Sequence, residues 1–186
     1  MPATHTLVSM VRGINVGGSR PLRMEALRAI HEALGFRAVR TYVQSGNAVF
    51  EARSADANAH AAAIERRILR DCGFEVSVAV RTSADMTAAL RSNPFLARPG
   101  VDPKFLHATF LARQGGRHSL DGVTLPLSKG EAAALLGDIV YVYCPFGYGN
   151  TKINNTFFER KLSASATTRN WNTVTALERM ARGEPA

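Results

Sequence analysis

The chain has 186 residues, 46% of them hydrophobic, which fits one compact domain or two small ones sharing a core. That apolar share excludes disorder over the whole length, and no run approaches the roughly 18 consecutive apolar residues of a membrane span. The net charge is +8, from 23 bases and 15 acids, and the excess lies in the two ends. Residues 1–54 hold seven bases and three acids, residues 151–186 hold six and three, and the middle is nearly balanced. This distribution favours a phosphate-bearing partner, although solvated surface arginines account for the same count.

Met1 to His5 leads directly into a strand-like run without a basic segment and cleavage site, so no secretory signal is expected. Cys72 and Cys144 belong to no CxxC pair. They read as two buried thiols in a reducing, cytoplasmic setting.

His5 to Arg12 reads as a mostly buried strand, and Gly13 to Arg20 as a glycine loop. Met24, Leu27, Ile30 and Leu34 follow helical spacing until Gly35 stops the helix. Ala38 to Gln44 and Ala48 to Ala52 read as strands around a tight Ser45-Gly46-Asn47 turn. Ala57 to Asp71 is helical, with Ala61, Ile64 and Ile68 inward, and Glu75 to Arg81 alternates as a strand. The order β-α-β-β-α-β predicts a ferredoxin-like unit, an antiparallel sheet with helices on one face. A faint internal echo supports it: Leu34-Gly35-Phe36 and Cys72-Gly73-Phe74 each precede a strand.

Ser83 to Leu90 forms a short helix ended by Asn93-Pro94. Residues 1–96 are thus expected to form the first unit. Residues 97–103 (ARPGVDP) form the linker, and residues 104–186 a second, smaller plait. In the latter, Lys104 to Ala112 and Ile139 to Cys144 are strands, and Glu131 to Leu136 fits a weak helix or strand. Asn155 to Leu162 and a run marked by Val174, Leu177, Met180 and Ala181 are helical.

Four segments carry unusual polar residues. Arg12, Asn15, Gly17 and Gly18 lie in a loop between a strand and a helix. Its glycines let backbone N–H groups turn to a ligand, and Arg12 adds a guanidinium suited to phosphate or carboxylate. The loop is neither a Walker A motif nor a GxGxxG fingerprint. Gln44, Ser45 and Asn47 surround a hairpin turn that accounts for Gly46 and Asn47 without accounting for the Gln and the Ser. A second glycine loop, Gly147 to Asn150, leads to Lys152, a point charge for an anion. Thr168, Arg169 and Asn170 precede the last helix, where Thr168 and Asn170 suit an N-cap and Arg169 adds charge to a helix start. Trp171, the only tryptophan, reads as a buried anchor. Plain connections and caps explain much of each segment taken singly.

Together these segments resemble a known family. Arg12-Gly-Ile-Asn-Val-Gly-Gly, Tyr42-Val-Gln-Ser-Gly-Asn, Asn93-Pro-Phe, the Gly147-Tyr-Gly-Asn-Thr-Lys run and Thr168-Arg-Asn-Trp-Asn-Thr are similar to motifs of the bacterial domain of unknown function numbered 1697. The resemblance covers nearly the whole chain. It implies a fold of two ferredoxin-like α/β plaits and no assigned activity.

His5, His31, His60, His107 and His118 show no metal-ligand spacing, and no cofactor or metal is expected. Carboxylates are sparse near the motifs, which argues against two-metal phosphoryl transfer. Three readings remain open. The first is a binding protein for an anionic, phosphate-bearing ligand such as a nucleotide or RNA. Reading of RNA on the sheet face is disfavoured, because Gly46-Asn47-Ala48-Val49-Phe50 lacks paired exposed aromatics. The second is a small-molecule enzyme, with Gln44, Ser45, Asn47 and Asn170 orienting substrate and Arg12 or Lys152 stabilising charge. The third is a protein-interaction module without catalysis. No membrane partner is expected, and the oligomeric state is left open.

Overall fold

The computed structural model describes residues 3–17, 20–112 and 118–186. It contains two four-stranded antiparallel sheets with helices, an α+β architecture of two ferredoxin-like units. The first compact unit takes in Met1–Ala88 and Ala176–Ala186, the second Ala89–Thr175.

In the first unit, β1 (His5–Val11) is paired on both sides, in the order β2-β3-β1-β4. The last five residues of β1 are all buried, so this inner strand is covered on both faces, with Ser9 as its one buried polar side chain. α1 (Met24–Ala33) lays Met24, Leu27, Ile30 and His31 on the sheet, at the spacing of one helical face. It closes with Gly35 in the left-handed region (φ 82°), as Gly35 N–H donates to Glu32 O (2.9 Å) and Phe36 N–H to His31 O (3.2 Å). β2 (Arg37–Tyr42) and β3 (Asn47–Ala52) form the hairpin, and β2 carries a bulge between Arg37 and Arg40. α2 (Ala57–Cys72) starts where Ala59 N–H donates to Asp56 Oδ1 (3.0 Å) and stops at left-handed Gly73. β4 (Val78–Thr82) runs into α3 (Ser83–Arg91), where Asp85 N–H donates to Thr82 Oγ1 and Thr82 N–H to Asp85 Oδ2. That reciprocal pair satisfies two donors at the helix start.

The second unit repeats the topology. β5 (Leu106–Leu111), β6 (Ala132–Leu136), β7 (Ile139–Tyr143) and β8 (Ala166–Asn170) stand in the order β6-β7-β5-β8. α4 (Asn155–Leu162) takes the place of α2, and α5 (Trp171–Ala181) follows β8 as α3 follows β4. Where the first unit has α1, Leu120, Val123 and Leu125 of an irregular segment pack on the core instead.

The repeat reaches single side chains. Arg81 on β4 stands opposite Val8 of the inner strand, and Arg169 on β8 stands opposite Ala108. Both arginines are buried, both lie two residues before a helix, and each donates through Nη1 to the preceding carbonyl at 2.9 Å.

Residues 166–170, read in the sequence only as the approach to the last helix, are a strand, because each pairs across to β5. Of the two readings open for residues 131–136, weak helix or strand, the strand holds over Ala132–Leu136, which forms a regular hairpin with β7.

Candidate functional site

Two of the four segments meet in the first unit. Val11 N–H donates to Gly46 O and Arg12 N–H to Ser77 O, both at 2.8 Å, so the loop after β1 leaves between the turn and the segment before β4. Asn15, in the left-handed region (φ 57°), then pins the loop. Its Oδ1 accepts from Leu22 N–H, and its Nδ2 donates to Leu22 O and Gln44 O, all at 2.9 Å. An Asn suits that backbone conformation, and its amide satisfies three partners at once.

The turn has its own internal bonds. Asn47 is fully buried, and its Nδ2 donates to Tyr42 O (3.2 Å) and Ser45 Oγ (2.9 Å). Gly46 sits at φ 78° with Ile14 Cδ1 2.8 Å and Val11 Cβ 3.0 Å from where a Cβ would stand. Glycine is therefore required twice, by conformation and by space. Arg12 is half-buried, while the Gln44 and Ser45 side chains and Gly17 (φ 59°) are exposed. Gly18 lies outside the described residues.

The other two segments meet in the second unit. Gly147 (φ 91°) turns the chain after β7, Asn150 Nδ2 donates to Phe146 O, and Tyr148 swings inward. The Thr168 hydroxyl donates to Asn155 Oδ1 at 2.6 Å. With its one proton so placed, it accepts from Thr109 Oγ1 (2.7 Å) and from the Tyr148 hydroxyl (2.9 Å). His107 stacks on the Tyr148 ring at 4.7 Å. Burial raises the Tyr148 pKa above the usual phenol value, so its hydroxyl stays a donor at neutral pH. Asn170 Oδ1 accepts from Thr173 N–H (2.8 Å) and caps α5. Arg169 donates to Thr167 Oγ1 (2.8 Å) within its own strand. Burial lowers its pKa to about 10, which leaves it charged at neutral pH. Trp171 is buried as an anchor, 6.4 Å from the Tyr141 ring.

Lys152 faces a different feature. It lines a cleft of about 660 Å³ together with Thr124, Asn154, Thr156, Arg160 and Lys161, with Pro126 and Phe157 completing the wall. Asn154 is the N-cap of α4, where Phe157 N–H donates to its Oδ1 (3.1 Å). The positive end of that helix and three cationic side chains thus share one cleft, and none of its lining residues is acidic. Of the three cations lining this cleft, the sequence singles out Lys152 alone, while Arg160 and Lys161 read there as part of a helix. The available signal was the Thr156–Arg160 spacing, which places both on one helical face behind an Asn cap. The sequence likewise does not single out Thr109, Tyr148 and Asn155, whose roles depend on a strand pairing that it does not reveal. Among the described residues no group of three or more His, Cys, Asp or Glu is placed to hold a metal, and no helix is long and apolar enough to cross a membrane.

The model of a family described as a protein of unknown function, DUF1697, matches residues 4–141. No curated protein matches the chain. The structure of the conserved bacterial protein SP0830 from Streptococcus pneumoniae is similar over 96% of this chain and 99% of its own, with 25% identity and a TM-score of 0.71.

Proposed function

The chain belongs to the DUF1697 family, and from that premise we propose that it is a binding protein for an anionic, phosphate-bearing ligand, a nucleotide or RNA, held in the cleft beside Lys152. The observation that carries the reading is the convergence of Lys152, Arg160 and Lys161 on one acid-free cleft at the start of α4. Three cations there attract phosphate at long range. Lysines supply point charges, the guanidinium of Arg160 supplies a two-pronged donor, and Thr124 and Thr156 supply hydroxyls. The setting that goes with this reading is the cytoplasm, where the free thiols Cys72 and Cys144 persist.

Thermal-shift measurements with nucleotides and short RNA oligomers at low salt test it. Saturating ligand at about 100 times Kd should raise Tm by roughly 5–10 °C. The gain should shrink with added salt and vanish in a Lys152→Gln/Arg160→Gln/Lys161→Gln variant that melts like the parent in the absence of ligand. No stabilisation by any phosphate-bearing compound would overturn the proposal.

A further inference from the structure

The three cations of the cleft beside Lys152 stand without protein partners. Among the described residues nothing forms an ion pair or a hydrogen bond with the side chain of Lys152, Arg160 or Lys161. Arg67, Arg70, Lys104, Arg179 and Arg182, by contrast, each lie against a carboxylate. All three cleft cations are exposed, so their charges are open to a ligand. They are also spread along α4 rather than gathered at one end. Lys152 precedes the Asn154 cap, and Arg160 and Lys161 stand in the last turn of a helix of 8 residues, about 12 Å long. Thr156 and Arg160 lie one turn apart on the same face. The rest of the lining offers little that reads a base. Phe157, its one ring, is 8% exposed and leaves no platform for stacking. Asn154 Oδ1 is engaged in the helix cap. No lining residue is a carboxylate, so none is suited to grip a ribose hydroxyl as an acid does, or to hold the Mg²⁺ that accompanies a nucleoside triphosphate.

We propose, on the premise that this cleft binds phosphate, that its ligand is the sugar-phosphate backbone of a single nucleic-acid strand, held without reading the bases. Each phosphodiester carries one negative charge, so three successive diesters match three separate cations. A mononucleotide brings its phosphates to one point and leaves part of the cation row unused. The phosphates of a strand are held apart by sugars. They can meet Lys152 before the helix and Arg160 and Lys161 at its far end. Thr124 and Thr156 add hydroxyl donors for phosphate oxygens. A cleft of about 660 Å³ takes a few linked sugars and phosphates and is too small for a duplex. With phosphate contacts and no base contacts, affinity comes from released counterions and is indifferent to sequence. RNA and DNA strands share this chemistry, and no lining carboxylate is present to favour ribose.

Fluorescence anisotropy of the full chain with short labelled strands tests this. The probes are oligo-A, oligo-C and oligo-U RNA, oligo-dT, an abasic strand and a duplex, all of one length, with a nucleoside monophosphate as competitor. The single strands, the abasic one included, should bind with Kd values within about threefold of one another. The duplex and the monophosphate should bind at least about tenfold more weakly. Three neutralised phosphates give a log–log salt slope of about −2, a loss of about twentyfold in affinity between about 50 and 200 mM salt. Lys152→Gln should reduce that slope by about 0.7 and Arg160→Gln/Lys161→Gln by about 1.4, with all strands weakened alike. Both variants change exposed side chains and should melt like the parent. Several results would overturn the inference while leaving a phosphate site in place. They are a base or sugar preference above about tenfold, an abasic strand that does not bind, and a monophosphate or duplex bound as tightly as the strands. A slope that the substitutions leave unchanged, or nucleotides bound at the cleft with no strand bound, does the same. Failure of strands and nucleotides alike to bind overturns both the inference and its premise.

Discussion

Two residues show how conformation and burial set limits that composition does not reveal. Gly46 supports the meeting of the first glycine loop with the hairpin turn, since a Cβ there would strike Ile14 and Val11. Gly46→Ala is expected to cost roughly 2–4 kcal/mol, combining left-handed strain with overpacking. Gly17→Ala, with positive φ but nothing within 4 Å, should cost only about 1–2 kcal/mol. Urea unfolding of the two variants checks the difference. His31 makes the second case. Its Nδ1 donates to Leu27 O, so Nε2 accepts from the Ser9 hydroxyl, both at 2.8 Å, and the ring is neutral and fully buried. Phe36 and Phe50 pack against it edge-on. Burial lowers its pKa from 6.5 to about 4. The unfolded chain therefore takes up a proton below about pH 6.5 that the folded chain refuses until about pH 4. The stability tied to neutral His31 is full above pH 6.5 and is lost as pH falls through that window. Between pH 6.5 and pH 5 the loss should reach about 2 kcal/mol, and denaturant titrations at the two pH values measure it.

Among the elements, those with strong apolar periodicity were legible and those made by pairing alone were not. The stripe of α1 and its Gly35 stop, the inward face of α2, and the buried run of β1 were all readable because local chemistry and tertiary placement agree. β8 was not. Thr167-Thr168-Arg169-Asn170 has the composition of a helix cap, and only its ladder with β5 makes it a strand. Of that segment, Asn170 alone caps the helix. Asn170→Ala should destabilise by about 0.5–2 kcal/mol, and Asn170→Asp should keep most of the stability. Thr168 instead joins the second glycine loop, α4 and β5 through one hydroxyl. Thr168→Val should cost about 1–3 kcal/mol, since it leaves Thr109, Tyr148 and Asn155 short of a partner. Equilibrium unfolding of both variants provides the check. The candidate site was legible in part for the same reason. Lys152 stood out beside glycines, whereas Arg160 and Lys161 gain meaning only once α4 places them beside it.

For the whole chain, the faint echo between Gly35 and Gly73 stood for one half of a larger pattern. The strand orders β2-β3-β1-β4 and β6-β7-β5-β8 are the same plait twice, down to the buried Arg81 and Arg169. The second plait was expected from the sequence, but its side-chain correspondence with the first is hard to read there, because the second copy has an irregular segment in the place of α1 and polar residues on its last strand. The difference between the copies is also where function is proposed. α4, the counterpart of α2, opens on a cationic cleft, while α2 opens on an Asp cap with no Lys or Arg among residues 57–60. The most direct test of that proposal is amide correlation NMR of the full chain during titration with a nucleoside triphosphate at low salt. The account predicts saturable shifts centred on Lys152 and on residues 154–160 of the cleft, fading as salt is added. Shifts confined to other segments, or none at all, would contradict it.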